Sequence, residues 1–180
     1  MAKSKPIQEW VSLATRLDAD ETVAKALETL EQANVTFGVV SDPAGGWIAT
    51  ITLRQLRDAS KGTSVRTLVS GKPRPIVTEP GIKFDSVVKK LVHRPGFETD
   101  LADIVVQEQD KLRGVVPRAR IIDRASLIVI RWGADRLEGA PIDVMLYECE
   151  ICQERKLVAY YDPKNPPKCK AGHLMKPVEE

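Results

Sequence analysis

The feature that most restricts the fold of this chain is an internal duplication. Val23, Ala26, Leu27 and Leu30 are matched in spacing by Phe84, Val87, Val88 and Leu91, 61 residues further on. Residues at i, i+3, i+4 and i+7 form one apolar stripe on a helix, so the spacing predicts two equivalent amphipathic helices. Asp20 is the expected N-cap of the first, with Glu21 in its opening turn. The segments after each helix repeat as well. Thr36–Ser41, the turn signal Asp42-Pro-Ala-Gly-Gly46 and Trp47–Thr52 read as strand, turn, strand. Asp103–Val106, a polar turn over 107–111 and Leu112–Val116 repeat that order at an offset of 65. The added residues fall in 93–99, where Pro95-Gly96 marks a longer loop. Helical stretches follow both hairpins, over Leu53–Ala59 and Arg118–Ala125. Leu53, Leu56, Ile121 and Ile122 are the expected docking residues. The short runs Arg66–Val69, Arg74–Val77 and Leu127–Arg131 are read as strands that complete the sheets or cross between units.

Charge follows the same double rhythm. Residues 1–53 carry four basic and seven acidic side chains, and residues 54–78 carry six and one. Residues 79–110 return to four and seven, and residues 111–136 carry seven and two. The net charge of +2 gives no overall attraction to nucleic acid or membrane. Aromatic residues make up 5%, too few for base-stacking platforms. The longest apolar run, 126–130, is far short of the ~20 residues that span a bilayer. The opening MAKSKPIQEW has no apolar leader core, so secretion is not signalled and the expected compartment is the cytoplasm.

Each unit therefore reads helix, strand, strand, helix, and ~60 residues bury too little surface to be robust alone. Two copies that share a core meet that need. The pattern resembles a pair of cystathionine β-synthase (CBS) domains, or Bateman module. The resemblance rests on Thr22-Val-Ala-Lys-Ala-Leu27, Val39-Val-Ser-Asp-Pro-Ala-Gly-Gly-Trp47, Ala49-Thr-Ile-Thr-Leu-Arg-Gln-Leu56, Asp103-Ile-Val-Val106 and Leu112-Arg-Gly-Val-Val116. It implies an α+β fold with a first repeat over 7–69 and a second over 70–131. It also implies a regulatory sensor whose clefts take adenine nucleotides or related ligands, and a homodimer.

The family's closing stretch carries a Thr or Ser for phosphate and, three residues later, an Asp for ribose. Thr52 keeps the first, but Gln55 stands in place of the Asp. In the second copy Pro117 and Arg120 replace both. The resemblance therefore implies a weakened nucleotide site, with Thr52, Arg54, Gln55, Arg118 and Arg120 as candidate ligand-binding residues. Arginines suit an anionic metabolite, because guanidinium groups pair bidentately with phosphate or carboxylate. The competing reading is that they are solvated surface charges.

The C-terminal segment carries a different chemistry. Cys149-Glu-Ile-Cys152 and Cys169-Lys-Ala-Gly-His173 contain all three cysteines and one of the two histidines. Each pair can form a tight knuckle, with Gly172 permitting the second turn. The strand-like Leu157–Tyr161 and the Pro-rich Asp162–Pro167 lie between. Two knuckles joined by a hairpin describe a zinc ribbon, rubredoxin-like in outline, over 147–180. An odd cysteine count without a secretion signal disfavours disulfides. A redox pair would leave the third Cys and the His unexplained, and Cys3His favours zinc over an iron site. The expected cofactor is one structural Zn2+ per chain, on Cys149, Cys152, Cys169 and His173. His93 reads as a helix-end or surface residue. Residues 147–180 carry six basic and six acidic side chains, so the ribbon suits a protein partner better than nucleic acid. Residues 132–146 read as a partly packed connector.

No catalytic constellation appears: there is no phosphate-cradling loop before a helix, and the thiols and one histidine are committed to metal. The expectation is a non-enzymatic sensor or adaptor. The alternatives are a nucleic-acid-binding regulator using the basic segments 54–78 and 111–136, and a structural subunit with degenerate clefts.

Overall fold

A computed structural model describes residues 5–92, 101–132, 145–158 and 166–178. After a 3-10 helix at Ile7–Trp10, the first repeat contains β1 (Ala14–Asp18), α1 (Val23–Gln32), β2 (Phe37–Ser41), β3 (Trp47–Thr52), α2 (Leu53–Arg57) and α3 (Val65–Val69). The second contains β4 (Ile76–Thr78), α4 (Phe84–Val92), β5 (Ile104–Glu108), β6 (Lys111–Val116) and α5 (Arg118–Trp132). The C-terminal segment contributes β7 (Met145–Glu148), β8 (Arg155–Val158) and β9 (Lys176–Pro177). The architecture is α+β, and the order strand, helix, strand, strand, helix occurs twice.

The local chemistry explains the elements. Val23, Ala26 and Leu30 are fully buried along α1, as are Phe84, Val87 and Val88 along α4. The N-cap of α1 is Thr22, whose side chain accepts from the amide of Lys25, and not Asp20. Asp20 instead pairs with Arg66 at 2.8 Å. The first hairpin turns on Asp42, whose carboxylate accepts from the amide of Gly46 at 2.7 Å, with Gly45 at φ 84. The second turns through Gln109 and Asp110, both at positive φ, as a two-residue primed turn requires.

Two of the three short runs read as strands are helical. Arg66–Val69 lies in α3, because the Ser64 hydroxyl accepts from the Thr67 amide and caps a turn. Leu127–Arg131 continues α5. A short apolar run does not distinguish strand from buried helix by periodicity, and no breaker separates it from Arg118–Ala125. Arg74–Val77 overlaps β4. Ile121 is fully buried, whereas Ile122 is 37% exposed. The connector, apart from Trp132 at the end of α5 and Met145 and Leu146 in β7, lies outside the described residues, as do His93 and Tyr160–Tyr161.

β1 pairs parallel with β2, and β2 antiparallel with β3, in a three-stranded sheet. β4 likewise pairs parallel with β5, and β5 antiparallel with β6. This second sheet has six strands in the order β6-β5-β4-β8-β7-β9, because β8 pairs parallel with β4. Val39 and Trp47 of the first repeat meet Val77, Val105 and Val115 of the second in a shared core. Leu146 of β7 and Leu157 of β8 join the second repeat's own core, alongside Phe84, Ile104 and Ile121. The N-terminal arm also crosses over: the amide of Ile7 donates to Ile82 O at 2.7 Å, and Ile7 is fully buried there.

Candidate metal centre and the polar groups between the repeats

β7 leads directly into the first knuckle. The amide of Cys149 donates to Glu154 O at 2.9 Å, and that of Gln153 to Cys149 O at 2.7 Å. Gln153 takes φ 55 to close the turn. In the second knuckle Cys169 N donates to His173 O and Gly172 N to Cys169 O, both at 2.9 Å. Gly172 has φ 84, a backbone state that glycine adopts without a Cβ penalty. Glu154, only 7% exposed, ties the knuckles together: its Oε2 accepts from the amide of Lys170 at 3.0 Å.

This scaffold gathers one ligand atom each from Cys149, Cys152, Cys169 and His173, all within 4.8 Å of one another. The Cys149 Sγ and His173 Nδ1 are 3.8 Å apart. Zinc bond lengths in a tetrahedron place donors about 3.5–3.8 Å apart, so the four groups can hold a metal ion. None of the three cysteines is in a disulfide. Burial opposes ionisation of Cys149, but hydrogen bonds from the Cys152 amide and thiol, the Ile151 amide and His173 bring its pKa down to about 6. Burial pushes the Cys152 thiol up to about 12, with Cys149 and Cys169 adding to the effect. Three thiols crowded in this way favour a cation that neutralises them, because a coordinating metal deprotonates its thiols.

The candidate ligand residues are placed less uniformly. Thr52 Oγ1 accepts from the amide of Gln55, while Gln55 Oε1 accepts from the amide of Thr52 at 2.9 Å. This capping box starts α2 and occupies the Thr52 hydroxyl with the backbone. Arg54 is highly exposed and 3.7 Å from Asp58. Arg120 donates to Trp10 O at 2.6 Å, away from the first copy's closing stretch. Arg118 sits at the start of α5, where its amide donates to Asp103 Oδ1 at 2.6 Å.

Sequence reasoning missed the groups that link the two closing stretches. Asp103 accepts from the Thr50 hydroxyl as well as from Arg118 N. The Lys72 ammonium donates to Thr50 O at 3.3 Å and Gln55 Oε1 at 3.1 Å. Burial pushes the pKa of Lys72 down, and the nearby Asp103 carboxylate partly offsets this. Thr50 and Asp103 are 53 residues apart, and no local motif marks them as partners. The result is a half-buried, mixed-charge cluster between the repeats, able to offer an ammonium to an anion.

Four arginines of the basic segments pair with acids that lie outside those segments. Arg57 meets Glu31, Arg66 meets Asp20 and Arg113 meets Glu108. Arg124 grips Asp85 through two bonds of 2.6 and 2.8 Å.

No protein-family model matches the chain, and no curated protein does. Solved structures named for CBS domains match about two thirds of it. The CBS domains of a transcriptional regulator from Streptococcus pneumoniae are 18% identical, covering 67% of this chain and 92% of that one, with a TM-score of 0.40. A CBS domain-containing protein of unknown function from Kribbella flavida is 13% identical, covering 66% and 98%, with a TM-score of 0.47. An uncharacterized conserved protein from Pyrococcus horikoshii is 17% identical, covering 78% and 100%, with a TM-score of 0.45. Among the described residues, no helix is long and apolar enough to cross a membrane.

Proposed function

We propose that the chain is a non-enzymatic regulatory protein in which a CBS-type pair senses an anionic ligand and a structural zinc ribbon serves protein interaction. The observation that carries this reading is the joining of the two parts. The Cys3His cluster sits in the turns that follow β7 and precede β9, and β7, β8 and β9 continue the second repeat's sheet, so the ribbon can respond to the packing of the pair. The double strand–helix–strand–strand–helix order supports the pair. Lys72, beside Asp103 and Gln55, supports an anion between the repeats, with Arg118 at the same junction. Four protein ligands leave no open position, which favours a structural ion over a catalytic one.

The capping box favours a second reading, a structural subunit whose clefts have lost their ligand, because Thr52 and Gln55 already satisfy each other. The nucleic-acid reading loses support from the ion pairs of Arg57, Arg66, Arg113 and Arg124, since phosphate binding needs cations in surplus. Native mass spectrometry of protein purified from cells tests all of this together. Zinc, a retained anionic metabolite and a dimer are the expected species. A metal-free monomer without a metabolite would overturn the reading.

A further inference from the structure

Lys170 lies between two metal ligands, yet its side chain leaves the ribbon. Its Nζ is 4.0 Å from the centroid of the Trp47 ring and donates to Gly45 O at 2.6 Å. Gly45 and Trp47 belong to the hairpin of the first repeat. The Trp47 Nε1 donates to Gln107 Oε1 at 2.6 Å, on the hairpin of the second repeat. Gln107 is in turn held by Asp110 at 2.9 Å. Trp47 is 3% exposed and packs in the core shared by the repeats. A single indole is therefore touched by the first repeat, the second repeat and the metal knuckle.

We propose that Lys170 is a latch through which metal occupancy of the Cys3His cluster sets the contact between the two repeats. The proposal rests on the metal-centre reading. The second knuckle is held by two turn hydrogen bonds, by Glu154 and, at its base, by the Met175 amide donating to Pro167 O at 2.9 Å, and an ion on Cys169 and His173 would fix the turn itself from both ends. Lys170 follows Cys169 directly, so the direction of its side chain depends on that turn. Without the ion the knuckle loosens, the ammonium withdraws from the ring, and the hydrogen bond from Trp47 to Gln107 feels the change. Arg16, 5.5 Å from the same ring and bonded to Ser41, stays in place because it is anchored in β1. The coupling is reciprocal: a ligand that rearranges the contact between the repeats alters affinity for the metal.

The test uses the full chain, stripped by a chelator and titrated with zinc alone. Competition with a chromogenic chelator reports zinc binding. The indole N–H cross-peak of Trp47, identified with W47F, reports the latch. One zinc should bind per chain, with the Trp47 cross-peak moving in step. K170M should still bind zinc, roughly two- to five-fold more weakly, as loss of a cation–π contact predicts. Its Trp47 cross-peak should no longer respond to zinc. K170R, which keeps a cation, should restore the response. Zinc binding with an unmoved cross-peak, or the same movement in K170M, would overturn the latch and leave the metal centre standing. Failure to bind zinc would overturn both.

Discussion

Leu157→Ala tests whether the ribbon and the second repeat are one cooperative unit. Leu157 is 1% exposed on β8, within the core that includes Phe84, Ile104 and Ile121. Truncating a buried Leu removes its transfer energy and leaves a cavity, at a cost of about 2–5 kcal/mol. For a chain of this size each kcal/mol lowers Tm by roughly 2–4 °C, so the fall should be about 4–20 °C. The site of the loss matters as much as its size. Ile76 N donates to Asp103 O on the β5 side, so the alternation of a strand turns the amide of Val77 toward β8. Calorimetry should show one main transition moving down, and hydrogen exchange should show the Val77 amide losing protection with it. A separate ribbon would behave differently. If the main transition stays in place and Val77 keeps its protection while residues 145–178 alone melt, the cooperative picture is wrong.

Other expectations follow from the same geometry. Cys152→Ser should release the metal and disturb the second repeat more than the first, read by zinc content and by hydrogen exchange in β2 and β4. Acidification should release zinc. The Cys149 thiolate, favoured by a pKa of about 6 in the metal-free site, exists above that value and is lost as pH falls through it. A zinc-sensitive dye should report retention at neutral pH and loss in acid. Gly114→Ala should destabilise by about 1–3 kcal/mol in chemical denaturation, because Gly114 sits at φ 153 and an added Cβ would lie 2.5 Å from Ser12 O. AMP, ADP and ATP should bind weakly, and more weakly still with added salt, and Lys72→Met should abolish what binding calorimetry detects.

The duplication was legible because it is written twice in local periods. The stripes Val23–Leu30 and Phe84–Leu91 and both hairpins appear where helix and strand spacing place them. The metal cluster was legible for the same reason: each knuckle is a contiguous segment, and only one loop had to close to unite them. Contacts without a local pattern were not legible. The Asp103–Thr50 bond, the Lys72 ammonium above Gln55 and the Lys170–Trp47 contact join residues whose partners are chosen by tertiary packing. The pairing of β8 with β4 belongs here too, since nothing in Arg155–Val158 names its neighbour. Leu127–Arg131 shows the opposite limit, a run whose composition suited a strand while its continuity with α5 made it helical.

The pairing of β8 with β4 leaves the two repeats with different obligations. A bare sheet edge is a template for other chains, and proteins cover, shorten or charge such edges to stay apart. In the second repeat that cover is β8, laid along Ile76 and Val77. A chain cut after Trp132 would keep both repeats but bare the edge of β4, with its buried Ile76 and Val77 newly open to neighbours. Covering β4 with β8 thus removes one edge on which copies could pair through strands, and the paired repeats cut free of the C-terminal segment should associate through that exposed strand.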